Sequence, residues 1–174
     1  AESLNMLLRK ELGVAEDLVE TYFHPYIYLD TVKVAEAGLE LGAAQQALVR
    51  VAQTIPDVAY AFAASDLSQG QIGDSNIAAM VAANYQPKRS GDVYIVFRSG
   101  AFIGDLDGLV VAASHGSVWR YDRHVPVVFV GSGIQAKRVS RAVTPYDIAT
   151  TLANKLELEA PSGAIGEPLR EVAP

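Results

Sequence analysis

The chain has 174 residues, no cysteine and a formal net charge of −6. This length fits a single α/β domain spanning residues 1–174. Disulfides, thiolate metal sites and cysteine nucleophiles are excluded, and the acidic balance argues against binding nucleic acid through its phosphates.

The hydrophobic content is high for a small domain. Half of the residues are hydrophobic, and the mean hydropathy is +0.17. We therefore expect exposed apolar surface that a partner covers, with a homo-oligomer as one option. No apolar run is long enough for a membrane span. The start at Ala1 lacks a signal-peptide pattern and has no Met, which fits a mature product or a piece of a longer protein.

The first third of the chain predicts a β-α-β unit. Apolar spacing predicts a helix over residues 3–12. Alternation from Val19 to Leu29, interrupted by Pro25, predicts a broken strand or a hairpin. A long apolar stripe from Val32 to Ile55 predicts one helix, which Gly38 and Gly42 are able to bend or to pack closely, and Val58 to Ala63 predicts a strand.

Turn-forming residues separate the next predicted elements. Asp74 or Ser75 caps a predicted helix that runs to about Ala83, and Val93 to Phe97 predicts a second clear strand. Leu109 to Ala113 follows a glycine-rich loop.

Near the C-terminus, Thr144 as N-cap, Pro145 and Asp147 predict the start of a helix that ends near Leu156. The tail beyond it is expected to be irregular but pinned.

The stretch from Ser114 to Gly131 combines polar side chains with an apolar run. The run from Val125 to Val130 predicts a strand covered on both faces, as in the middle of a parallel sheet. Residues just before such a strand lie at a sheet end, where loops carry function.

His115 is the strongest candidate metal ligand, because the glycine after it permits close approach of a metal or phosphate. A structural role for a lone histidine stays open. Asp122 and His124, two residues apart, point to the same side of an extended segment, which favours a structural or supporting role for the pair. His24, beside Pro25, is interpreted as a turn residue. A serine-hydrolase reading of Gly73-Asp74-Ser75 is disfavoured, because no apolar strand precedes it.

Four segments together resemble the C-terminal part of the alkaline phosphatase superfamily: RSGDVYIVF, HGSVWRYDRHVPVVFVGSGI, VTPYDIATTLANKLEL and PSGAIGEPL, in that order between Arg89 and Leu169. The branch they resemble most is the two-zinc phosphomonoesterases, which are related to phosphodiesterases and nucleotide pyrophosphatases. The resemblance implies part of a three-layer fold with a mixed sheet flanked by helices.

The same resemblance implies that His115 is a ligand of one of two zinc ions. The nucleophilic threonine and the other ligands, including an Asp-His pair, are expected upstream, and the sequence contains no Asp-His pair. A single imidazole holds zinc weakly, because stable sites use three or four protein ligands. The 174-residue chain alone is therefore expected to be inactive.

Two hypotheses follow. In the first, the chain is the C-terminal segment of a metal-dependent phosphoric ester hydrolase, either a phosphomonoesterase or a phosphodiesterase, which acts on a phosphate ester together with an upstream half. In the second, it is a non-catalytic structural or binding module. By resemblance, a periplasmic or extracellular location is expected.

Overall fold

The computed structural model describes residues 2–106 and 109–172. The elements in chain order are α1 (Glu2–Leu12), β1 (Val19–Phe23), β2 (Tyr26–Leu29), α2 (Thr31–Glu36), α3 (Leu41–Gln53), β3 (Val58–Ala63), α4 (Ala64–Gln69), α5 (Asn76–Asn84), β4 (Val93–Phe97), β5 (Asp105–Leu106), β6 (Leu109–Val110), α6 (Arg120–Arg123) and α7 (Tyr146–Lys155). Contacts divide the chain into two compact units, Ala1–Val125 and Pro126–Pro174.

A four-stranded sheet in the order β1-β2-β4-β3 forms the middle of the first unit. Both β2 and β3 pair antiparallel with β4, so they run in the same direction, and α2 and α3 connect them. The predicted β-α-β unit is therefore present with β4 inserted between its strands. The predicted hairpin is also confirmed, because β1 pairs antiparallel with β2.

Strand alternation sends side chains to two cores, one on each face of the sheet. In β4, Val93 and Ile95 pack with α1, α2 and α3, whereas Tyr94 and Val96 pack with α4 and α5. Leu8, Leu48 and Ile27 are completely buried in the first core. Helices thus flank the sheet on both faces, which confirms the predicted α/β class and its three layers.

The predicted long helix over residues 32–55 is wrong, because it is two helices. Asp30 caps α2 by accepting hydrogen bonds from the backbone N–H groups of Val32 and Lys33 at 3.1 Å each. Gly38 adopts a φ of +70°, a conformation that ends a helix and that side-chain-bearing residues rarely adopt. The chain then restarts as α3. By contrast, the cap on α5 is as predicted: the Ser75 Oγ accepts a hydrogen bond from the Ala78 N–H at 3.1 Å.

The strand predicted over Val125–Val130 is wrong. These residues have no regular secondary structure, and Val128 and Val130 are 76% and 90% exposed. A strand requires neighbours to pair with its backbone, and no strand of the described residues pairs with this run. The sheet was expected to be mixed, yet all neighbouring pairs among the described strands are antiparallel, since the run expected to supply a parallel strand forms none.

The second unit is built around α7 and a tail held by polar contacts. Asp147 accepts hydrogen bonds from the backbone of Thr144 at 2.8 Å and of Glu167 at 3.1 Å. Arg141 donates two hydrogen bonds to Glu171, at 2.8 and 2.7 Å. The predicted helix and pinned tail are therefore present, but the predicted N-cap is wrong. Pro145 occupies the cap position without a side-chain cap, because the Thr144 hydroxyl donates to the Asp147 carboxylate at 3.1 Å and does not accept from the helix backbone. None of the helices in the described part of the chain has the length and apolar composition that a membrane crossing requires.

Candidate functional site

The loop that carries His115 turns sharply directly after it. Residues 113–117 have no helix or strand, and Gly116 adopts a φ of +99°. No atom outside its neighbours lies within 4 Å of where a Cβ would stand, so the glycine is required for its backbone angle and not for space. The side chain of His115 is exposed at this turn.

Asp122 closes the loop from the far side. Its Oδ2 accepts a hydrogen bond from the Ser117 backbone N–H at 2.8 Å. Hydrogen bonds from the side chain and backbone of Ser117 lower the pKa of Asp122, and the nearby imidazole of His115 adds to the effect. A carboxylate that stays ionised beside His115 is therefore built into the loop.

Two aromatic side chains attach the same loop to its surroundings. The Trp119 indole Nε1 donates a hydrogen bond to the Phe97 carbonyl oxygen at 2.9 Å, at the end of β4. The Gly100 N–H donates a hydrogen bond to the Tyr121 hydroxyl at 3.0 Å. The end of β4 thus holds the loop in place. The sheet end that the sequence predicted for this stretch belonged to a strand over Val125–Val130, which does not form.

His115 and Asp122 line a cavity of about 380 Å³ in the first unit. The wall also includes the turn between β1 and β2, the last residues of β4 and the segment around Phe102. His115 is therefore exposed in the wall of this cavity and is not buried in an apolar interior.

His24 shares this cavity, although its sequence context indicated only a turn. Its Nδ1 lies 2.8 Å from the Tyr22 hydroxyl in a hydrogen bond. Its ring lies nearly parallel to that of Phe97, with an angle of 9° and 6.2 Å between centroids. Partial burial lowers the pKa of His24, and burial raises the pKa of Tyr22, so both groups are uncharged at neutral pH.

His124 lies elsewhere. It is exposed, it is not among the residues that line the cavity, and its backbone N–H donates a hydrogen bond to the Arg120 carbonyl at 2.9 Å. The extended segment expected around Asp122 and His124 is wrong, because residues 120–123 form the short helix α6, in which side chains two apart do not face each other. The supporting roles predicted for Asp122 and His124, and the metal role of His115, stay predictions.

The residues missed by sequence analysis are Tyr22, His24 and Phe97. An available signal was their place at strand ends that the antiparallel sheet brings to one side, but the strand order was needed to use it. Among the described residues, no group of three or more His, Asp or Glu side chains is arranged to hold a metal ion. His115 and Asp122 fall short of the three or four ligands of a stable zinc site, so this part of the chain does not form one by itself.

Two known proteins are similar in sequence to nearly the whole chain. Over 172 residues the chain is 28% identical to alkaline phosphatase PafA of Elizabethkingia meningoseptica, covering 98% of this chain and 30% of that protein. A Myroides odoratus protein named calcium-transporting ATPase is 28% identical over 170 residues, with coverage of 98% and 30%. No protein-family model matches the chain.

The structural comparison agrees. The chain superposes on the crystal structure of wild-type alkaline phosphatase PafA with a TM-score of 0.82 and 26% identity, over 99% of this chain and 32% of that one. The chain therefore spans about a third of the length of the relatives it matches.

Proposed function

We propose that this chain, which is similar to an alkaline phosphatase over nearly its whole length, is the C-terminal segment of a metal-dependent phosphoric ester hydrolase, in which His115 is one zinc ligand. The activity expected of the whole protein is hydrolysis of phosphate monoesters, with diester hydrolysis as the second option. The periplasmic or extracellular location stays a prediction from the resemblance.

The observation that carries this proposal is the position of His115. Its imidazole is exposed in a cavity wall, on a loop that Gly116 turns and Asp122 holds. A ligand side chain must be open to the ion and held in one orientation, and carboxylates near ligand histidines commonly supply that orientation. The loop leaves His115 exposed, and Asp122 holds the backbone two residues after it.

In this proposal, the chain carries out no chemical step by itself. Two imidazoles, those of His24 and His115, and the carboxylate of Asp122 line the cavity, and the nucleophile and remaining ligands are proposed to come from the upstream half of the protein. Asp122 is a positioning residue, since its carboxylate holds the Ser117 backbone and not a substrate atom.

Exposed apolar side chains support the proposal that an upstream half of the protein packs against this chain. Val128, Val130 and Ile165 are each more than three-quarters exposed, although apolar residues of this size are usually covered.

A non-catalytic module is the second candidate, favoured by the lack of a three-residue metal group among the described residues.

The test is turnover of a simple phosphate ester by the longer protein encoded by the reading frame that carries this chain. With zinc present, His115→Ala is expected to reduce kcat/KM for 4-nitrophenyl phosphate at least about a hundredfold, because a direct ligand is lost. Asp122→Ala is expected to reduce it about tenfold, by freeing the loop.

Arg138→Ala is the matched control, since it alters an exposed loop cation outside the cavity. Its activity is expected to equal that of the unaltered protein. Unchanged turnover in His115→Ala would end the proposal, and absence of any phosphate ester hydrolysis in the longer protein would favour the non-catalytic module.

A further inference from the structure

One wall of the cavity beside His115 is aromatic, and the proposed metal role uses none of it. Tyr22, His24 and Phe97 form this wall, which we name the aromatic wall. The hydrogen bond between Tyr22 and His24 and the near-parallel ring of Phe97 fix the three side chains relative to one another. A preformed surface of flat rings is suited to a flat ligand, because aromatic pairs stack face to face with an offset or meet edge to face.

The rest of the lining is mostly apolar. It includes Pro25, Val96, Phe102, Ile103, Val111 and Val118. The cavity volume of about 380 Å³ lies at the lower end of the range for small-molecule sites, which suits one or two rings. The polar groups are few and are concentrated at Ser114 to Ser117 and Asp122.

The arrangement places a ring-sized apolar space and a candidate metal ligand in the same cavity. We propose that this cavity is the subsite for an aromatic leaving group of a phosphate ester, and that Tyr22, His24 and Phe97 determine the preference for aryl over alkyl esters. This inference rests on the proposed function for the identity of the ester, but not for the binding of the ring. The partial burial that keeps His24 uncharged is consistent with this role, because an uncharged imidazole packs against a ring without bringing a charge to it.

The chain carries its own reporter for this cavity. Trp119 is the single tryptophan, and its indole donates a hydrogen bond to the carbonyl oxygen of Phe97 at 2.9 Å. Trp119 is not among the residues that line the cavity, but its indole contacts the backbone of Phe97, which is. A ring that enters against Phe97 is therefore expected to change the surroundings of this indole, so that tryptophan fluorescence follows binding in the 174-residue chain without zinc or turnover.

The experiment titrates the chain with three probes: phenol, phenyl phosphate and glycerol 2-phosphate. Phenol and phenyl phosphate are expected to give a saturable change in Trp119 fluorescence, and glycerol 2-phosphate none. An equal response to the aliphatic ester, or no saturable response to either aromatic probe, overturns the subsite.

Two variants test whether the ring of phenol binds against the aromatic wall. Ala101→Leu fills the cavity without removing any part of the aromatic wall, and Phe97→Leu removes one ring of it. Each is expected to weaken phenol binding about tenfold. Phe62→Leu is the matched control, because Phe62 is also a half-buried strand residue with one near-parallel ring neighbour, Tyr60, but is not among the residues that line the cavity.

Wild-type affinity in both Ala101→Leu and Phe97→Leu contradicts the proposal even if phenol binds somewhere. The experiments distinguish a failure of the proposed aryl subsite from a failure of the proposed phosphatase function. Loss of phenol binding leaves the effect of His115→Ala on turnover untouched, whereas an inactive longer protein that still binds phenol at this wall overturns the phosphatase and keeps an aryl-binding cavity.

Discussion

The two units of the chain are stabilised in different ways. Ala1–Val125 contains both apolar cores, whereas after Val125 the buried hydrophobic residues of the described chain are only Ala153 and Leu169. In their place, Pro126–Pro174 has hydrogen bonds that converge on Asp147, Thr151 and Glu171.

The first unit covers both faces of its sheet with its own helices. Among the described residues, the first unit exposes nine large hydrophobic side chains in 125 residues, and the second exposes eight in only 49 residues. Those of the second unit are Val128, Val130, Val139, Tyr146, Leu152, Leu156, Leu158 and Ile165. This contrast is what the proposal of a segment within a larger phosphatase requires, because apolar surface of that extent is normally covered.

The largest expected contrast is between two apolar truncations. Leu48→Ala opens a cavity at a completely buried position in α3 and is expected to lower the free energy of unfolding by about 2 to 5 kcal/mol. Val130→Ala, at a position 90% exposed, is expected to change it by less than about 0.5 kcal/mol. Urea unfolding of both variants measures this, and an equal loss in the two would break the comparison.

A smaller loss is expected at a buried polar contact of the first unit. Asn5, which is 6% exposed, donates a hydrogen bond to the Val19 carbonyl at 2.9 Å and accepts one from the Val19 N–H at 2.7 Å. Asn5→Ala leaves both backbone groups unpaired and is expected to cost about 2 kcal/mol in urea unfolding. Asn76→Ala, at an exposed residue, is the control; a similar cost there would show that the loss does not come from the pairing.

The smallest effect is local and depends on pH. Hydrogen bonds from Arg141 lower the pKa of Glu171 from 4.5 to about 2, and those from Thr144 and Glu167 lower the pKa of Asp147. Because these folded-state pKa values are depressed, the stability they contribute is complete above about pH 5 and is lost as the pH falls towards 2.

NMR amide signals test this in the intact chain. The signals of Thr144 and Glu167, which donate to Asp147, are expected to shift with a midpoint below 3.8, while that of Ile95 in the sheet stays constant over the same range. Midpoints at or above 3.8, or simultaneous movement of Ile95, would contradict local polar anchoring.

Sequence patterns predicted the first unit well because its signals are local. The apolar run from Val93 to Phe97, the cap at Ser75 and the interruption at Pro25 each act within a few residues. The split of the helix at Gly38 was not predicted, since an apolar stripe does not reveal which glycine takes a positive φ.

The strand expected at Val125–Val130 fails for a different reason. Its composition indicates burial on two faces, but burial depends on neighbours that no strand of the described residues supplies. The local sequence therefore indicates that this run is apolar enough to be a buried strand, but it does not indicate whether neighbouring strands are present to bury it.

The site was only partly predictable. His115 was identified from its motif, and the structure places it in a cavity wall. The pairing of Asp122 was predicted with the wrong partner, because a short helix replaced an extended segment. Tyr22, His24 and Phe97 were missed, because they meet only through the order of strands.

Zinc content tests the central claim most directly, namely that His115 is a ligand whose partners lie outside this chain. Metal analysis after dialysis compares the 174-residue chain with the longer protein, each with and without His115→Ala. The account predicts no stoichiometric zinc in the 174-residue chain, and about two ions in the longer protein, falling by about one in His115→Ala. Tightly bound, stoichiometric zinc in the 174-residue chain, or unchanged zinc in the longer His115→Ala protein, would contradict it.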